Sequence, residues 1–159
     1  NPCRIDWASY MYFGWLANND SILLPGVDPN VENPDLGTHF KLEVLTKINE
    51  LFDASSTVQA QVGKFDAEVE IGGDVIYRLR EGLERFLITD INNPAAGAVA
   101  QSQLAVMFDQ STTEVRDFNH IPGGGNILYM DGHVEFTRYP GDFPFTTTFA
   151  YMSGELSIN

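Results

Sequence analysis

Two short runs and the pair of residues between them constrain this chain more tightly than any other stretch. Ile127-Leu128-Tyr129-Met130 and His133-Val134-Glu135-Phe136-Thr137-Arg138-Tyr139 are rich in β-branched and aromatic residues, and only Asp131-Gly132 separates them. That pattern predicts a β-hairpin. The spacing predicts a type I′ turn with positive φ at both Asp131 and Gly132, which glycine adopts freely and aspartate tolerates better than most residues. Upstream, Pro122-Gly123-Gly124-Gly125 suits neither helix nor regular strand, so a tight loop should deliver the chain into the first strand. His120 stands just before that loop.

The remaining periodicities suggest how such a hairpin is covered. Residues 9–16, S-Y-M-Y-F-G-W-L, are aromatic-rich and short, and read as a buried strand. Residues 17–37 hold Asn18-Asn19-Asp20, Pro25-Gly26, Pro29, Pro34 and Gly37, a long irregular connection. Asp28, Asn30, Glu32 and Asp35 lie within it at short spacing. They lack the central glycine and closing bidentate glutamate of a Ca²⁺ loop, so they read as a solvated acidic loop.

From Thr38, a plausible N-cap, Leu42, Leu45, Ile48 and Leu51-Phe52 recur at helical spacing. Val58 to Val62 and Phe65 to Ile71 alternate with period two, as half-buried strands do. Asp74 is placed to cap a second helix through about Leu87, with Val75, Leu79, Leu83 and Phe86-Leu87 on one stripe and Arg78, Arg80 and Arg85 paired with Glu81 and Glu84. Leu104 to Asp109 reads as a short buried strand, and the tail from Phe145 through Met152 has strand propensity. The fold class is therefore α+β: an antiparallel sheet with a C-terminal β-hairpin, packed against two amphipathic helices.

Composition excludes several functions. The 159 residues, 43% hydrophobic, can bury one sizeable core and read as a single domain, 1–159. A formal net charge of −13 repels nucleic acid and anionic membrane surfaces and attracts cations. The single cysteine, Cys3, rules out an internal disulfide, and no window is long and apolar enough to span a membrane. No G-x-S-x-G elbow, phosphate loop or H-E-x-x-H motif appears. His120, Asp131 and His133 are chemically suited to a metal or acid–base site. Asp and a strand-opening His beside a tight turn are equally what the turn itself demands, and a non-enzymatic role is the expectation.

The same stretch carries a family resemblance. His120, a Gly-rich spacer of Gly123, Gly124 and Gly125, then Asn126, a hydrophobic strand and Asp131-Gly132-His133-Val134-Glu135-Phe136 resemble the C-terminal signature of bacterial prepilin-like proteins. That signature is a histidine, nine residues, then Asp-Gly; here ten residues, Ile121 to Met130, intervene. Residues 75–116 are similar in a looser way to larger members of the group. The resemblance implies a pilin-head-like globular domain related to type II secretion pseudopilins and type IV pilins. Such proteins carry a long apolar N-terminal helix that anchors them in the membrane and then packs in the filament centre. This chain opens on Asn1-Pro2-Cys3 without it, which leads us to expect an upstream segment removed from the chain as given. Because some pseudopilin heads bind Ca²⁺ near the C-terminus, the resemblance also makes Asp109, Asp117 and Asp131 metal candidates.

The function expected on these grounds is a structural subunit of an extracellular or cell-surface filament, assembling with copies of itself into a homo-oligomer. Apolar patches and strand pairing would join neighbours, through Tyr10, Tyr12, Phe13 and Trp15 near the start or Phe145, Phe149 and Tyr151 in the tail. The alternative is a monomeric Ca²⁺- or ligand-binding surface module.

Overall fold

The computed structural model describes residues 9–12, 14–51, 63–71, 74–83, 101–114, 117–121 and 123–157. Phe13, the strand expected at 58–62 and the end of the expected second helix lie outside them. A four-stranded antiparallel sheet is built from β1 (Tyr10–Met11), β4 (Ala105–Asp109), β5 (Gly124–Tyr129) and β6 (Val134–Arg138), in the spatial order β1-β4-β5-β6. A separate two-stranded ribbon joins β2 (Val69–Ile71) to β3 (Asp74–Ile76). Helices α1 (Asn19–Ile22), α2 (Leu36–His39), α3 (Leu42–Leu51) and α4 (Thr147–Ser157) complete the α+β architecture.

The C-terminal hairpin forms where the sequence places it, with a different turn. Leu128 pairs with Val134 and Tyr129 donates its N–H to His133 O at 3.0 Å, so the loop is three residues, Met130-Asp131-Gly132. Gly132 N–H returns to Tyr129 O at 2.9 Å, and Gly132 alone takes positive φ, at 91°, while Asp131 does not. This is the three-residue hairpin closed by a left-handed glycine rather than a type I′ turn. The extra residue moves the register by one, and that sets which side chains of β6 share a face with those of β5.

Three other expectations are corrected. Among the described residues of 9–16, Tyr10–Met11 form a strand and Trp15 forms an isolated bridge to Arg78. Thr38 caps nothing: Asp35 caps α2 by accepting the Gly37 N–H at 3.0 Å, and α3 begins at Leu42. The expected helix from Asp74 is instead strand β3, with Ile71 opposite Asp74, Glu70 opposite Val75 and Val69 opposite Ile76. Val75 is exposed and Ile76 buried, so the burial has period two, and the chain then turns at Gly82 with φ of 84°. Arg80 pairs with Glu68 across this ribbon rather than along a helix.

The tail is the largest correction. Residues 147–157 form α4, not a strand, and Phe145, Phe149, Ala150 and Met152 are fully or almost fully buried. β-propensity is overridden by tertiary contacts: Phe149 packs edge-on against Phe108 at 5.6 Å and Phe143 at 4.8 Å. The helix start is fastened by the loop read as solvated and acidic. Thr147 N–H donates to Asn30 Oδ1 at 3.1 Å, Thr148 N–H to Pro29 O at 3.1 Å, and Thr148 Oγ1 to the same carbonyl at 2.9 Å. Asn30 and the Pro29 carbonyl thus satisfy one orphan helix N–H each from far away in the chain. The Asn30 side-chain amide donates to Gly141 O at 3.0 Å. Trp15, Ile22, Val44, Ile48, Ile71 and Ile76 bring α3 and the ribbon into the same core. Trp15 Nε1 donates to Ala67 O at 2.9 Å.

Candidate functional site

The residues singled out around the hairpin divide into two Asp–His pairs. The first sits where β4 and β5 part. Asn126 donates its backbone N–H to Asp109 Oδ2 at 2.8 Å and its side-chain amide to the same oxygen at 3.1 Å. A side-chain carboxylate thereby takes a strand N–H that a backbone carbonyl accepts elsewhere in a ladder. Asn119 Nδ2 donates to Oδ1 at 3.4 Å and also to Ser9 O, tying the 117–121 loop to the start of β1. Asp109 is only 3% exposed. A buried carboxylate is stable only when its oxygens are supplied with donors, and these residues supply them.

His120 closes this cluster. Its Nε2 lies 3.1 Å from Asp109 Oδ2 and 3.1 Å from Asn126 Nδ2. One ring nitrogen cannot donate to the first and accept from the second at once. As an N–H donor it makes the charge-assisted bond to the carboxylate, which is the stronger of the two. The ring is half exposed and stands edge-on to Phe136 at 5.9 Å. His120 therefore fastens its loop to strands β4 and β5.

Glycines make the close approach feasible. A Cβ on Gly125 would lie 2.6 Å from both Asp109 Cβ and Phe145 Cζ, and one on Gly124, whose φ is 125°, would lie 2.3 Å from Thr137 O. Gly124 and Gly125 thus open β5 as strand residues, rather than belonging to the tight loop expected over 122–125, and the close approach there requires them to be glycines.

The second pair caps the hairpin tip. Asp131 Oδ1 accepts the His133 backbone N–H at 3.1 Å and faces His133 Nδ1 at 2.5 Å, and the His133 ring stacks on Tyr129 at 4.4 Å. The backbone bond from His133, then the bond from its ring, hold the Asp131 carboxyl below its ordinary value. Burial, with Glu135 and Asp142 nearby, pushes the Tyr129 phenol up.

The structure therefore separates the proposed His120–Asp131–His133 constellation: His120 belongs with Asp109, and His133 with Asp131. The metal candidates are not brought together either. Asp109 is turned onto N–H donors, Asp131 onto His133, and Asp117 is exposed; among the described residues no group of three or more His, Cys, Asp or Glu is placed to hold a metal ion. This donor set does not fit Ca²⁺, which requires six or more oxygens free to turn toward it.

What sequence reasoning missed is the outer face of the sheet. Tyr10 lies opposite Asp109, Met107 opposite Leu128, Leu128 opposite Val134, and Asn126 opposite Phe136. Residues opposite one another in an antiparallel ladder share a face. Met11, Phe108 and Ile127 point to the core, whereas Tyr10 (55%), Met107 (39%), Val134 (60%) and Phe136 (47%) are left exposed. Of the assembly candidates, Tyr10 and Tyr12 are exposed, Trp15 is buried, and Phe145 and Phe149 are sealed in the core with Tyr151 packed against it. No family model, curated protein or solved structure matches this chain in comparisons of its sequence and fold.

Proposed function

We propose that this chain is a structural subunit of an extracellular or cell-surface filament, a pilin- or pseudopilin-like head that assembles with copies of itself. The observation that carries the reading is the outer sheet face, where Tyr10, Met107, Val134 and Phe136 stand exposed, while Met11, Phe108 and Ile127 turn the opposite face of β1, β4 and β5 to the core. Apolar groups gathered on one face of a rigid element, within a protein otherwise strongly acidic, mark an interaction surface. The Asp109–Asn126–His120 cluster supports the same reading as a lock that makes the sheet rigid. The resemblance of the segment from His120 to Phe136 to the prepilin-like signature supports it independently. The tail has no part in strand pairing, because α4 is helical and buried.

Sedimentation velocity and negative-stain microscopy of the full chain test the proposal. Concentration-dependent association into elongated particles is the expected outcome. A chain that stays monomeric up to its solubility limit would overturn it.

A further inference from the structure

We infer that copies of this chain join by continuing the sheet head to tail, the free edge of β6 in one copy pairing antiparallel with the free edge of β1 in the next. The inference rests on the filament reading and specifies its contact.

β6 and β1 are the two ends of the sheet order. Successive strands run antiparallel, so β1 and β6 point in opposite directions, and a neighbouring copy with the same face outward presents β1 antiparallel to β6. The backbone polarity also matches. Tyr129 donates to His133 O and Tyr139 to Gly123 O, so the odd residues of β6 bond inward to β5. Val134, Phe136 and Arg138 thus turn their N–H and C=O groups to the open edge. Gln110 donates to Ser9 O, so the odd residues of β1 bond inward to β4, and Tyr10 turns its groups outward. Among the described residues no Pro, bulge or covering element interrupts β6, the devices by which free edges are usually blunted.

Side chains and charge fix the register. With Phe136 opposite the next copy's Tyr10, Val134 falls beside Tyr12. Aromatic pairs of this kind are favourable across strands. The same register brings the turn end of β6, with Asp131, toward the end of β1 where Arg78 sits. The Arg78 guanidinium lies 5.7 Å over the Tyr12 ring and donates to the Tyr12 hydroxyl at 3.3 Å, and among the described residues it touches no carboxylate. A cation at one edge and a carboxylate at the other complement each other between copies. Because the two edges differ, the contact is heterologous and propagates rather than closing as a twofold dimer.

The test uses the full chain with Cys3→Ser as background. Tyr10→Cys and Phe136→Cys variants are mixed and oxidised, since strand-paired positions meet disulfide geometry. A Tyr10→Cys to Phe136→Cys cross-link is expected, well above either variant linked to itself. Phe136→Pro, which removes an outward N–H and leaves the β5–β6 ladder intact, is expected to weaken association about tenfold or more by sedimentation. Val134→Lys, at an exposed position, serves as a second block should the proline variant fail to fold by circular dichroism. Filaments that form with no mixed cross-link, or that withstand Val134→Lys, overturn the edge pairing and leave the filament reading standing. A dominant Phe136→Cys self-link shows a closed dimer and overturns the head-to-tail contact. Absence of any association in the unaltered chain overturns the filament reading and this inference together.

Discussion

Two Asp–His pairs, one joining β4 to the 117–121 loop and the other at the tip of the β5–β6 hairpin, do opposite work. Asp109 is buried where two strands separate, receives bonds from Asn126, Asn119 and His120, and holds together elements from three parts of the chain. Asp131 is substantially exposed, and its carboxylate is held locally, by the backbone and ring of His133 two residues along. The chemical groups are the same; the difference lies in how many groups lose their partner when the carboxylate is removed. Buried donors left unmet carry their full desolvation cost, whereas a surface Asx turn re-forms its bonds with water.

That contrast is open to direct attack. Asp109→Ala leaves the backbone N–H of Asn126 without its acceptor and removes the partner of the Asn126 amide and of His120, and should cost about 3 kcal/mol in urea unfolding. A loss no larger than that of an ordinary surface substitution would erase the contrast. Gly125→Ala, whose methyl would fall 2.6 Å from Asp109 Cβ and Phe145 Cζ, should cost about 2 kcal/mol by overpacking the same spot. His120→Ala removes one donor from a carboxylate that keeps others and should cost about 1 kcal/mol. Retention of self-association by this variant would place the histidine in the lock and outside the interface.

Asp131→Asn should have the smallest effect, and one visible only in its pH dependence. The folded carboxyl is held below its ordinary value, so the stability it contributes is present above the unfolded carboxylate range and is lost as pH falls through the folded value. Melting curves of the variant and the parent should therefore differ at neutral pH and converge in acid. A gap that widened as pH fell would reverse the assignment.

The legible parts of the sequence were those where local chemistry and tertiary environment agree. Ile127 to Tyr129 and the strand at 105–109 read correctly because alternation and burial point the same way, whereas Gly124 and Gly125, expected in a loop, open β5 because their pairing with Arg138 and Thr137 is a non-local fact. The turn type was missed by one residue, since Asp-Gly suits both the two-residue turn and the end of a three-residue one, and the choice belongs to strand register. The region 74–83 deceived because Val75, Leu79 and Leu83 happen to fall at helical spacing, while the pairing of β3 with β2 is a non-local fact. Thr146 to Thr148 favour a strand locally, yet Phe149 and Met152 gain more by covering the sheet as a helix. Asp109 was visible as a chemically interesting residue, but nothing in its neighbourhood announced that Asn126 and His120 would turn toward it. The exposed outer face became visible only once register had decided which residues share a side.

The clasp between Asn30 and the start of α4 also bears on the order of folding. Its bond joins positions 117 residues apart, so closing it fixes a very long loop of chain. Until residues 147–157 have been synthesised and docked, Phe108 and Ile127 on the inner face of the sheet lack their cover. A nascent chain would then present both faces of the same sheet to its neighbours, and the helix that arrives last leaves only the outer one available.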